Sequence, residues 1–160
     1  MPILTDEIKA KIVGTEYPSV SEEIEKGHMK KWAESIYWPD PPPPLFVDEE
    51  YAKKTKWGGI IAPPTYFTAL GRGGQREAQS ENQIETLLPP ARVGMNGGNE
   101  FEVFGVIRPG DVITSKRKIV DIYERTGRSG SLIFTISETT WTNQKGEVIG
   151  ISRGTGIRQY

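Results

Sequence analysis

The sequence predicts an α+β domain in which one buried central helix, at about residues 63–72, is wrapped by an antiparallel sheet drawn mainly from residues 92–158. Three observations predict it. The stretch Gly58-Gly59-Ile60-Ile61-Ala62-Pro63-Pro64-Thr65-Tyr66-Phe67-Thr68-Ala69-Leu70 is almost wholly apolar or small beyond its prolines, and a helix apolar on all sides is a buried one. After Arg92 the pattern changes to alternating segments separated by turn sequences, the mark of an antiparallel meander. The first third instead carries the spacing of additional N-terminal helices.

Taken in order, Thr5 is placed to cap a helix opening with Asp6 and Glu7, whose acidic side chains suit a helix N-terminus. Ser21 reads as the cap of a second helix running to Tyr37, with Ile24, His28, Trp32 and Ile36 as its buried stripe and Ala33 alongside. Pro39 and the run Pro41-Pro42-Pro43-Pro44 end that helix and impose a stiff extended segment, either a spacer or a polyproline docking segment. A short helix from Asp48 to about Lys54 follows. Pro63 and Pro64 suit the first turn of the central helix, where a missing N–H costs nothing. Residues 71–90, glycine-rich and then polar, read as a long loop.

The strand region opens with Phe101, Val103 and Val106-Ile107, closed by the turn Arg108-Pro109-Gly110-Asp111. Val112 to Tyr123 alternates, and Thr126-Gly127-Arg128-Ser129-Gly130 reverses the chain. Leu132, Phe134 and Ile136 then point one way while Ile133, Thr135 and Ser137 point the other. Asn143-Gln144-Lys145-Gly146 turns into a last strand, Glu147 to Ile157. No internal repeat breaks the pattern, so residues 1–160 read as one domain.

Composition narrows the function. Twenty basic residues stand against 21 acidic ones, a balance that favours neither nucleic acid nor an anionic membrane surface. The absence of cysteine removes disulfides and thiol chemistry, and with His28 as the single histidine no metal site is expected. The charged opening MPILTDEIKAKIVG does not read as a signal peptide. No apolar run approaches the ~18 residues that cross a bilayer, so a cytoplasmic protein is expected.

The segments LTDEIKAKIVGTEYPSV, DEEYAKKTKWGGIIAPPTYF, NEFEVFGVIRPGDVITSKRKIVDIYER and ISETTWTNQKGEVIG cover nearly the whole chain. Together they resemble the MaoC-like hydratase/dehydratase family, in its N-terminal-domain type. The resemblance implies the hotdog fold, a long central helix wrapped by an antiparallel sheet. It also implies a substrate, an acyl thioester of coenzyme A or of acyl carrier protein, and no cofactor. Active members of the family add water to a trans-2-enoyl thioester or remove it from a 3-hydroxyacyl thioester. An Asp and a His before the central helix share the catalytic water, and a backbone N–H at the helix start holds the enolate oxygen.

The family's active motif, roughly Gly-Asp-x-Asn-Pro-Leu-His, meets Pro39-Asp40-Pro41-Pro42-Pro43-Pro44-Leu45-Phe46 here. Aligned on its left edge, Asp40 takes the place of the catalytic Asp and Leu45 that of the His. Aligned on Leu45 and Asp48, the His place falls on Phe46 and the Asp on Pro41. Neither Leu45 nor Phe46 transfers protons. Where active members show His-Gly ahead of the central helix this chain has Pro63-Pro64, and proline has no N–H to donate.

By the same carry-over, Leu45, Phe46, Pro63, Pro64, Thr65 and Tyr66 are the expected substrate-binding residues. Arg72 and Arg76 are weaker candidates for phosphate contact, against the plainer reading of solvated loop charges. His28 reads first as a partly buried packing residue and second as a substitute base. The glycines around Arg72 lack the strand–loop–helix setting of a phosphate loop.

The leading expectation is therefore a non-catalytic hotdog subunit that shapes an acyl site for a catalytic MaoC-like partner, and the assembly expected is a dimer, either a homodimer or a heterodimer with that partner. One alternative is an active homodimeric hydratase that uses Asp40 with His28, Glu49 or Tyr66. A regulatory domain that binds an acyl thioester without turning it over is the other.

Overall fold

The computed structural model describes residues 2–71, 83–128 and 130–160. In chain order the elements are helix α1 (Asp6–Ile12), strand β1 (Val20–Glu23), helices α2 (Lys26–Tyr37), α3 (Pro44–Val47) and α4 (Glu49–Lys53), a 3₁₀ turn η1 (Tyr66–Ala69) and helix α5 (Gln83–Leu87). Four strands follow: β2 (Val93–Val103), β3 (Val112–Gly127), β4 (Gly130–Thr142) and β5 (Val148–Gln159). They join β1 in one antiparallel five-stranded sheet of order β1-β3-β4-β5-β2.

Local chemistry sets most of these boundaries. The Thr5 hydroxyl accepts the Ile8 N–H at 3.3 Å and caps α1. Asp48 accepts the Tyr51 N–H at 3.0 Å and caps α4. In the β4–β5 turn, the Asn143 side chain accepts the N–H groups of Lys145 and Glu147, both at 3.0 Å. The Arg108–Asp111 turn is a junction rather than a simple reversal. Asp111 accepts the Arg108 N–H at 2.8 Å and, on its other oxygen, the Gln144 amide at 2.9 Å. Gly110, at φ +86, donates its N–H to the Ile24 carbonyl at 2.8 Å, which ties the end of β1 to the start of β3.

The inner face of the sheet packs two clusters. One joins Phe67 and Leu70 to Ile113, Trp141 and Ile149, with Phe67 and Trp141 rings 4.8 Å apart. The other joins Ile12 of α1 and Ile84 and Leu88 of the α5 region to Ile119, Ile122 and Ile133. On β4 the inward residues are Ile133, Thr135, Thr139 and Trp141, while Leu132, Phe134 and Ile136 stay half-buried on the outer face.

Four expectations are corrected. The segment predicted to be a long helix from about residue 63 to 72 is, through Leu70, an extended approach followed by one 3₁₀ turn at Tyr66–Ala69. Two adjacent prolines without N–H groups, then Thr65 outside helical geometry, delay the first helical bond to the Tyr66 N–H, which meets the Pro63 carbonyl at 2.9 Å. Ser21 does not cap α2, because Val20–Glu23 pairs with β3 in register Val20↔Ser115; α2 starts at Lys26 instead. The buried stripe of α2 is Met29 and Ala33 with Trp32 half-buried, whereas Ile36 is 45% exposed. An i, i+4 spacing is shared by neighbouring helix faces, so the stripe read from Ile24 is displaced by one residue. In the stretch predicted to be a loop, residues 83–87 form α5.

Candidate functional site

An apolar cavity of about 230 Å³ lies where α3, the approach to η1 and the end of β2 meet. Pro44 stands in the first turn of α3, the position proline fills without loss, and so presents Leu45 and Phe46. Opposite them run Ile61, Ala62, Pro63 and Pro64, held by the Ala62 N–H donating to the Ile107 carbonyl at 2.9 Å. Trp57 closes one side. Its carbonyl accepts the Arg108 guanidinium at 2.7 Å, and the Lys56 ammonium lies 4.7 Å from its ring centroid. Phe46 is backed by Tyr37, ring centroids 6.2 Å apart.

Four of the six expected substrate-binding residues, Leu45, Phe46, Pro63 and Pro64, thus line one cavity. The other two do not join them. Thr65 is exposed, and Tyr66 turns away to pack edge-on against Trp32 at 6.2 Å. Arg72 and Arg76 lie outside the described residues. Val103, Val106 and Ile149 also line the cavity. Sequence reasoning passed over them because each reads as an ordinary strand-end hydrophobe.

Every described residue of this cavity is apolar, Trp57 included, so it can hold a hydrocarbon group and cannot exchange a proton. Asp40 sits apart in an exposed turn, its N–H bonded to the Tyr37 carbonyl at 2.9 Å. Glu49 is engaged by Lys26 at 3.1 Å and Lys30 at 3.5 Å, and the Lys26 ammonium foremost holds its carboxyl below the usual range. His28 is exposed rather than partly buried, with 63% of its side chain accessible, and faces Glu25 at 3.8 Å. Burial first, then the charges of Glu22 and Glu25, push the Tyr66 hydroxyl up, so it stays protonated. Asp40 and Glu49 therefore stand apart from the cavity that Tyr66 and His28 line.

Among the described residues no group of three or more His, Asp or Glu is placed to hold a metal ion, and no helix is long and apolar enough to cross a membrane.

The short helical segment packed on the inner face of a five-stranded antiparallel sheet is the hotdog fold, shared with a MaoC-like dehydratase of known structure. The profile of the FAS1-like dehydratase domain region matches residues 11–151, and the chain belongs to that family. A UPF0336 protein of Thermobifida fusca is 29% identical over 105 residues, and one of Streptomyces avermitilis is 28% identical over 116. The matched stretches span 66% and 72% of this chain, and 65% and 73% of those proteins.

Among solved structures, the C-terminally truncated HadBC (3R-hydroxyacyl-ACP dehydratase) complex of Mycobacterium tuberculosis has a TM-score of 0.69 at 18% identity, covering 91% of this chain and 96% of that one. The ChsH1–ChsH2 complex of the same organism has a TM-score of 0.68 at 15% identity, covering 96% and 92%. A MaoC-like dehydratase from Rhodospirillum rubrum has 0.59 at 21%, covering 92% of each.

Proposed function

We propose that this chain is the substrate-shaping, non-catalytic half of an acyl-thioester hydratase/dehydratase, holding the acyl group in the apolar cavity while a MaoC-like partner supplies the acid and base. One observation supports the reading: Leu45 and Phe46, which the family resemblance aligns with the dyad His, and Pro63 and Pro64, which it aligns with the oxyanion-donor segment, line one cavity that holds no acid or base among its described residues. General acid–base assistance is typically worth about two to four powers of ten, and none of these side chains provides it. Pro64 has no N–H, and the Tyr66 N–H is already spent on the Pro63 carbonyl.

Pairing with a partner is supported by β2. It stands at the sheet edge, exposed along its length, with Phe101 at 47%, Val103 at 45% and the adjoining Phe104 at 58% exposure. An exposed apolar edge strand is normally covered, and Val103 belongs to both the edge and the cavity wall. Two of the fold's solved relatives are complexes of two named subunits.

The test is reconstitution. This chain is mixed with a hotdog protein that carries the Asp/His dyad, and hydration of a crotonyl thioester is followed together with the size of the complex. Activity that rises with complex formation, and falls when Trp57 or Phe46 is replaced by Ala, supports the reading. Activity indifferent to this chain would refute it.

A further inference from the structure

On α2, His28, Lys31, Trp32 and Ser35 fall at i, i+3, i+4 and i+7, which is one face of a helix. With Tyr66 and Leu70 from the η1 region and Glu22 from β1, that face lines a second cavity of about 320 Å³ that shares no lining residue with the apolar one. Its donors are not satisfied. Tyr66 is buried as a residue but lines the cavity, and its hydroxyl makes no hydrogen bond to a described residue. A hydroxyl on a cavity wall with no protein partner can donate to an acceptor from outside. Lys31 makes no ion pair among the described residues; its backbone carbonyl, not its ammonium, serves the Ser35 hydroxyl at 2.7 Å. The Trp32 indole N–H is buried without a hydrogen-bond partner among the described residues.

The charges select the kind of acceptor. The single carboxylate in the lining, Glu22, accepts the Gly71 N–H at 3.2 Å rather than pairing with Lys31. That fixed negative charge disfavours a dianion such as phosphate, whereas one carboxylate opposite Lys31 is tolerated. The remaining wall, Trp32, Tyr66 and Leu70, is large and apolar, so the ligand has a hydrocarbon body.

We propose that this cavity binds a small monocarboxylate with an apolar body, its carboxylate received by the Lys31 ammonium and the Tyr66 hydroxyl and its body laid against Trp32 and Leu70. The site is independent of the acyl cavity and stands whether or not the chain assists catalysis.

The probe is hexanoate, titrated into the intact chain while the Trp32 indole N–H resonance, assigned with Trp32→Phe, is followed by NMR. Inorganic phosphate and hexanol serve as comparison ligands. Hexanoate should shift that resonance with a dissociation constant in roughly the millimolar range. Lys31→Gln, at a solvent-accessible position, should weaken binding about tenfold or more, and Tyr66→Phe several-fold, without changing the fold. Pro64→Asp, in the other cavity, should leave hexanoate binding unchanged. The inference is overturned if phosphate or hexanol binds as well as hexanoate, if Lys31→Gln has no effect, if Pro64→Asp abolishes binding, or if none of the three ligands moves the resonance.

Discussion

The two cavities meet at η1 yet are built from opposite chemistry. Pro63 and Pro64, just before the turn, face a wall of hydrocarbon. Tyr66, two residues on, faces Glu22, His28 and Lys31, and Phe67 drives into the core against Trp141. Three neighbouring positions thus serve three environments. A tight 3₁₀ turn makes this possible, because about three residues complete a revolution and successive side chains diverge by about 120°. The difference teaches that a short segment at the heart of a hotdog sheet can separate a hydrocarbon site from a charged one with a single layer of side chains.

The largest expected effect is at Phe67, which anchors η1 to the sheet. Phe67 of η1 is fully buried against β5, so close that a Cβ on Gly150 would stand 2.7 Å from its ring. Phe67→Ala should cost about 3–5 kcal/mol of stability in denaturant unfolding, through lost burial and the cavity left behind. Gly150→Ala should cost less, about 1–3 kcal/mol, by overpacking the same contact. If Phe67→Ala is neutral, η1 does not organise the two sites.

Next is the junction that carries Glu22 into the charged cavity. Asp111→Ala removes the acceptor for both the Arg108 N–H and the Gln144 amide. The cost should be about 1–3 kcal/mol, since each side-chain bond contributes modestly and the half-buried Arg108 N–H is left unmet.

That turn illustrates what was legible. The Arg108-Pro109-Gly110-Asp111 motif, the caps at Thr5 and Asp48, and the four long strands all rest on local chemistry and alternation, which a sequence displays directly. Leu45, Phe46, Pro63 and Pro64 were legible through their place in the family's motif, and they do line one cavity. β1 was not legible. Its four residues are strand only because β3 offers a free edge, and only Val20 among them is even half-buried. The sorting of Thr65 and Tyr66 away from the apolar cavity also escaped, because it depends on the twist of one turn. Nor does a local pattern announce the charged cavity, which draws residues from β1, α2 and η1.

A smaller effect concerns acid. Asp121 on β3 pairs with Lys9 on α1 at 3.0 Å, and its carboxyl is held below its ordinary value, first by that ammonium and then, after a counteracting push from burial, by the Ile122 N–H at 2.8 Å. A carboxyl whose folded-state pKa is depressed contributes stability above its unfolded value and loses it as pH falls through the folded one. The melting temperature should therefore fall below about pH 4, the ordinary carboxylate range. Asp121→Asn should show a shallower decline there than the parent, and a modest loss at neutral pH, as for an exposed pair. Identical slopes for the two would contradict the assignment.

The central claim is that the apolar cavity binds and does not catalyse, and the most direct measurement is turnover of the purified chain alone. With a crotonyl thioester as substrate, hydration should sit near the uncatalysed background. Neither Asp40→Ala, in an exposed turn, nor Leu45→His, which restores one half of a dyad beside Pro64, should change it measurably. Robust turnover by the isolated chain that Asp40→Ala abolishes would contradict the account.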